Sequence, residues 1–389
     1  MTQVARRLSA RMAAQSLSLS LLSAALMLPT FVHSAPASAA AQAPLDVTVM
    51  AEGLDRPWAL AFLPDGAALI TERSGAMRLW QAGKGVGKPL SGVPKVWASG
   101  QGGLLDVVLA PDFATSRWVY FSYAEEGDGK AGTAVARGKL NADRTALTDV
   151  AVIFRQTPKL SVGNHFGSRL AFDREGYLFV TLGENNQRPT AQDLDKLQGK
   201  VVRLRADGKV PPDNPFVNKA GARPEIWTYG MRNPQGMAIH PATGAVWENE
   251  HGPRGGDEIN ILSPGKNYGW PIATHGINYS GQPIPEARGK SAAGMEDPHF
   301  VWEKSPGLSG MAFYTADRFP QWKNSIFIGA LATQELIRVK LDGNKVVGEE
   351  RLMADRGERV RDVRVGPDGY VYALTDEGNG KLLKIGLKP

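Results

Sequence analysis

The 389-residue chain has no cysteine, so neither disulfides nor thiolate metal sites are open to it. It has no Lys/Arg cluster interleaved with aromatics, and nucleic acid is therefore not an expected partner. No glycine fingerprint opens a βα unit, which argues against a nicotinamide enzyme. Beyond the N-terminus, no run is apolar enough to span a bilayer. The formal net charge of +6 is mild, and Arg6, Arg7 and Arg11 supply half of it within a 40-residue stretch that carries no acid.

That stretch reads as a leader rather than as part of the fold. A basic segment, MTQVARRLSARMAAQ, precedes an apolar one, SLSLSLLSAALMLPTFV, and small-residue cleavage positions such as Ala37-Ser38-Ala39 follow. This is the three-part layout of a secretory signal. Residues 1–40 are thus expected to be a signal peptide and residues 41–389 one domain that works outside the cytoplasm, in the periplasm.

What the chain does have is 44 glycines, 26 prolines and 9 tryptophans, a mix that favours many short strands over long helices. From residue 45 one pattern returns six times: an alternating apolar strand, a turn, then a second strand. It occurs in WALAFLPDGAALITER (58–73), GLLDVVLAPDFATSRWVYFSYAE (103–125) and SRLAFDREGYLFVTLGE (168–184). It recurs in QGMAIHPATGAVWENEHG (235–252), SGMAFYTADRFPQWKNSIFIGAL (309–331) and VRDVRVGPDGYVYALTDE (360–377). Asp65-Gly66, Glu175-Gly176, Thr243-Gly244 and Asp368-Gly369 provide turn chemistry. Six imperfect repeats, each long enough for a four-stranded blade, predict an all-β, six-bladed β-propeller. A pair of sandwiches would not explain one hairpin recurring six times.

Propellers gather loops around a central channel, so the residues flanking each hairpin are the candidates for chemistry. Gln101 precedes the second hairpin and His165 the third, the latter in GNHFGSRL with a strand expected at Leu170–Phe172. Arg232, Asn233 and Gln235 precede the fourth, and Arg359 and Arg361 open the sixth. Three guanidinium forks at two such places suggest an anion site. The loop ENEHGPRGGDEINILSPGKNYGWP (248–271) suggests a cation site. Asp257 and Glu258 are hard oxygen donors, and Gly252, Gly255 and Gly256 let carbonyls turn inward. Hard donors without cysteine favour Ca²⁺ over Zn²⁺.

The segments GNHFGSRL, YGMRNPQGMA, HGPRGGDEINIL…GKNYGWP and RVRDVRVGPDGYVYALTD resemble the soluble quinoprotein sugar dehydrogenases, in particular the aldose sugar dehydrogenases. The likeness runs from about residue 45 to the C-terminus. It implies a propeller that binds pyrroloquinoline quinone (PQQ) and two Ca²⁺ ions, one at the quinone and one structural. It implies His165 as the general base that takes the proton from the sugar C1 hydroxyl. By the same resemblance Gln101, Arg232, Asn233 and Tyr279 line the site, and Arg359 and Arg361 hold the cofactor carboxylates. Ala330, Leu331 and Ala332 form a cofactor-contacting turn. Gly252 and Pro253 offer carbonyls to the quinone-side Ca²⁺, while Glu258 and Tyr268 serve the second ion. Two departures stand out: relatives tend to carry a lysine in the turn where this chain has Ala332-Thr333, and His251 stands where some relatives have glutamine.

The residue types suit that chemistry. A tricarboxylate needs cations, and a histidine accepts a proton near neutral pH. A Ca²⁺-dependent propeller lactonase would share fold, metal and compartment but would not need the arginines. A non-catalytic binding propeller would not need the ordered polar residues. The preferred aldose, the electron acceptor and the choice between monomer and homodimer stay open.

Overall fold

The computed structural model describes residues 44–161 and 163–388; the expected signal peptide lies outside the described residues. Six antiparallel hairpins form where the repeats predict them. They are Pro57–Phe62 with Ala68–Glu72, Leu104–Leu109 with Trp118–Gly127, and Gly167–Phe172 with Leu178–Leu182. The others are Pro234–Ile239 with Val246–Glu250, Leu308–Tyr314 with Ser325–Ala330, and Val360–Val365 with Val371–Thr375. Each hairpin is the inner half of a four-stranded sheet, and these sheets are blades 1 to 6 in that order. The first strands of successive blades lie against one another, and that of blade 6 against that of blade 1. The fold is a six-bladed β-propeller.

Blade 6 is completed from the other end of the chain. Leu45–Leu54 pairs antiparallel with Gly380–Leu387 as its outer strand. This joint closes the ring and covers a sheet edge that would otherwise be left open.

The alternation along each strand is not core against solvent. Leu69 packs with Leu104, Val107 and Phe121 between blades 1 and 2. Its neighbours Ala68 and Ile70 pack with Leu374 and Leu382 between blades 1 and 6. Val371 and Ala373 face blade 5, whereas Tyr372 and Leu374 face blade 1. Each blade is sandwiched, so both of its faces are buried and its strands read as nearly continuous apolar runs. Truncating a fully buried leucine such as Leu69 to alanine costs about 2–5 kcal/mol.

Two features prepare the site. Every inner hairpin has a register shift at the start of its first strand: Pro57/Ala59, Leu104/Val107, Gly167/Leu170, Pro234/Gly236, Leu308/Met311 and Val360/Asp362. Such bulges bend a strand and re-aim its side chains. The blades are also tied at the centre by a buried ion cluster. Arg169 Nη1 bonds Asp106 (3.2 Å) and Asp362 (2.9 Å), and Arg364 pairs with both carboxylates. Among the described residues no helix is long and apolar enough to cross a membrane.

Candidate active site

In an antiparallel hairpin, the residue before the first strand and the residue after the second come together on one face. At blade 3 that pairing joins His165 and Glu184. The imidazole Nδ1 lies 3.0 Å from Glu184 Oε1, which sets Nδ1 as the protonated nitrogen. Nε2 makes no hydrogen bond among the described residues and is not among the buried unpaired atoms, so it stays open. Burial lowers the His165 pKa below 6.5; the Glu184 hydrogen bond opposes this and the Arg232 charge adds to it. The neutral ring therefore dominates at pH 7, with a free lone pair.

The backbone around His165 is held tightly. Its φ is 53°, a left-handed value that costs a non-glycine residue on the order of 1 kcal/mol or more. Its N–H donates to Gln101 Oε1 (2.8 Å) and its carbonyl accepts from Asn185 Nδ2 (3.1 Å). Gly183 is required here, because a Cβ at that position would stand 2.0 Å from the His165 carbonyl oxygen. The strand begins at Gly167, three residues before the expected start, and His165 stands just outside it.

At blade 6 the same pairing joins Arg359 and Arg361 to Asp376. Arg359 Nη2 and Arg361 Nη2 both donate to Asp376 Oδ2, at 3.0 and 2.9 Å. Burial would raise this carboxyl, but the Arg361 and Arg359 guanidiniums more than reverse that and hold it at about 2. Arg359 Nη1 also donates to the Leu331 carbonyl (3.0 Å), and Arg361 Nη1 to Gln235 Oε1 (3.0 Å).

Blade 4 brings Arg232 to the 250–252 segment. Its guanidinium donates to the carbonyls of His251 (3.1 Å) and Gly252 (2.9 Å). Asn233 Oδ1 accepts from Gly167 N and Gln235 Nε2, linking blades 3 and 4. Asp257, expected as a metal ligand, instead braces backbone: Oδ1 accepts from Gly252 N, and Oδ2 from Gly307 N and Leu308 N.

These elements enclose a cavity of about 880 Å³ at one end of the channel. Gln101, Asn233, Gly252, Pro253, Tyr279, Leu331, Ala332, Arg359 and Arg361 all line it. Tyr279 is 73% exposed, so it forms the rim rather than an inner wall. Ala330 is buried in the core between blades 4 and 5 and does not line the cavity. His165 is not a lining residue either; Gln101, Phe166 and Gly167 are the wall beside it. Arg232 lines a separate void of about 20 Å³, shared with Glu250, Gly252, Glu258 and Tyr268. Gln235, at the entrance of the fourth hairpin, lines the main cavity as well, and Trp58, Arg73, Lys304 and Asp376 also line it and were missed. Glu184 was missed as well. Glu184 and Asp376 had a signal: they follow hairpins whose entrances carry His165 and Arg359.

Over residues 54–384 the sequence matches the family described as glucose / sorbosone dehydrogenase. The chain belongs to that family. Within this dehydrogenase family it is 64% identical over 348 residues to the aldose sugar dehydrogenase YliI of Escherichia coli (strain K12), covering 89% of this chain and 94% of that protein. The crystal structure of the soluble E. coli aldose sugar dehydrogenase in its apo-form aligns at 63% identity with a TM-score of 0.87, over 89% of this chain and 100% of that one. The PQQ-bound form of the aldose sugar dehydrogenase from Streptomyces coelicolor aligns at 27% identity with a TM-score of 0.71, over 89% and 99%.

The residues fit the groups such a dehydrogenase uses. Five cations, Arg73, Arg254, Lys304, Arg359 and Arg361, line the cavity against three carboxylates, Asp257, Glu303 and Asp376. That excess suits a polyanion. Behind Gly252, burial and mutual repulsion push Glu248 and Glu258 well up, and Glu250 up to about 7. Glu248 Oε2 and Asn260 Oδ1 are buried without partners. Of these crowded acids, Glu250 and Glu258 line the small void, a setting that suits a hard divalent cation. Among the described residues no three His, Asp or Glu side chains form a complete ligand set, so backbone oxygens would have to contribute.

Proposed function

We propose that this chain is an exported quinoprotein that oxidises the C1 hydroxyl of aldose sugars to the lactone and passes the electrons to an acceptor outside the chain. The observation that carries it is His165, with Nδ1 claimed by Glu184 and Nε2 open, beside a cavity with surplus cations. PQQ together with Ca²⁺ would supply, when bound, the two-electron acceptor for the C1 hydride.

The chain's own residues do the rest. His165 Nε2 takes the C1 hydroxyl proton, and Glu184 stabilises the imidazolium that results. Gln101 holds the His165 backbone in its strained conformation. Arg359 and Arg361, aligned by Asp376, hold the cofactor carboxylates, with Leu331, Ala332, Asn233 and Tyr279 around them. Gly252 and Pro253 line the cavity and would offer carbonyls to the quinone-side ion, and Glu258 and Tyr268 line the smaller void and would serve the second. Arg232 braces the 251–252 carbonyls and helps keep His165 neutral, a different role from lining the cofactor. The leader-like first 40 residues support export to the periplasm.

The test is reconstitution of metal- and cofactor-free protein with PQQ, with and without Ca²⁺, following dye reduction by a panel of aldoses. Turnover that needs both additions is expected. No tight PQQ binding and no turnover with both present would overturn the reading, and lactone hydrolysis would be the next assay.

A further inference from the structure

The five cations of the cavity are not equivalent. Arg359 and Arg361 share Asp376, and Arg73 is turned onto the carbonyls of Gly100 and Gly102. Lys304 and Arg254 have no side-chain partner among the described residues. Arg254 reaches toward Gly281, on the part of the cavity wall that also carries Tyr279. Lys304 belongs to the connection from blade 4 to blade 5, which is pinned to the turn at Leu331-Ala332. Leu331 N donates to Gly307 O, and Ala332 N and Thr333 N both donate to Pro306 O. The Leu331 carbonyl in turn accepts from Arg359. A short chain of backbone bonds thus places an uncompensated ammonium on the wall that carries the arginine fork.

We propose that Lys304 is a binding residue for the cofactor, meeting a carboxylate that the Arg359–Arg361 fork leaves unmatched. This rests on the quinone reading above. A planar tricarboxylate has more anionic groups than one arginine fork can meet. Lys304 lines the cavity and is exposed, so it offers a cation that the fork does not. The turn itself offers only Ala332 and Thr333, and the cation comes from the loop bonded to it. Because Lys304 is exposed, its contribution is strongly screened by salt.

The experiment titrates cofactor-free protein with PQQ in the presence of Ca²⁺ and follows quenching of tryptophan fluorescence, at about 0.05 M and about 0.5 M salt. Lys304→Ala should weaken binding about tenfold at low salt and much less at high salt. Lys345→Ala, an exposed lysine on the outer strand of blade 5, should leave binding unchanged. Ala332→Lys in the Lys304→Ala background should restore most of the affinity, since it returns an ammonium to the same wall. Equal affinity of wild type and Lys304→Ala at low salt would overturn the inference while leaving the quinone reading intact. Failure of the wild-type protein to bind PQQ would overturn both.

Discussion

Blades 3 and 6 use the same corner of the same hairpin for opposite purposes. Each places a nitrogen base or cation before its first strand and a carboxylate after its second. In blade 3 the pair is His165 and Glu184; in blade 6 it is Arg359, with Arg361, and Asp376. Both carboxylates keep one buried oxygen without a partner, Glu184 Oε2 and Asp376 Oδ1. The difference is what faces them. A lone, buried imidazole loses its proton and becomes a base, because burial outweighs one carboxylate. Two guanidiniums beside one carboxylate instead drive that carboxylate down to about 2, and in the proposed mechanism their remaining N–H donors hold an anion. In the proposed mechanism one geometric device thus serves proton transfer or electrostatic binding according to residue type.

The sharpest way to break this contrast is at the base itself. His165→Ala should lower turnover by ~10²–10⁴-fold while PQQ affinity stays within about twofold of wild type, measured by steady-state kinetics beside a binding titration. Arg361→Ala should do the reverse, weakening PQQ binding by ~10–100-fold and leaving turnover at saturating cofactor much less changed. If the two variants gave the same split, the division of labour between the blades would be wrong.

Glu184→Gln tests the coupling. The Glu184 carboxylate raises the His165 pKa against burial, so removing its charge lowers that pKa further. The acid limb of kcat/KM, below pH 6.5 in the wild type, should move to lower pH, with turnover down about tenfold as the ring loses its orientation. A limb that moves upward would show that another group sets it.

The smallest effects separate the two second-strand exits by backbone alone. Gly183→Ala drives a Cβ onto the His165 carbonyl and should cost about 1–3 kcal/mol of stability together with a loss of turnover. Gly378→Ala, just beyond Asp376, meets nothing within 4 Å and should leave melting temperature and activity unchanged. Thermal melts of the two variants check this directly.

The propeller was legible because the hairpin is a local object. Alternating apolar residues and Asp-Gly-type turns are short-range signals, and six copies made the ring. The arginine and histidine positions stood out for the same reason, since His165, Arg232 and Arg359 stand just before a recognisable strand and Arg361 is the second residue of one. Glu184 and Asp376 were not picked out, although they sit at the matching exits, because a lone acid after a strand looks like any solvated loop charge. Asp257 misled for the converse reason: its sequence neighbours suggested a metal ligand, while its oxygens are engaged by amides of the 252 and 307–308 segments.

By itself the sequence determined the repeat, the turns, the number of blades and which residue types stand at their entrances, because these depend on the order of side chains along one strand pair. Only the tertiary structure decided that Leu45–Leu54 closes blade 6, that alternate residues serve two different blade interfaces, and that six bulges turn the entrances toward one cavity. It also decided the protonation of the site, since a pKa depends on burial and on charges that come from distant blades.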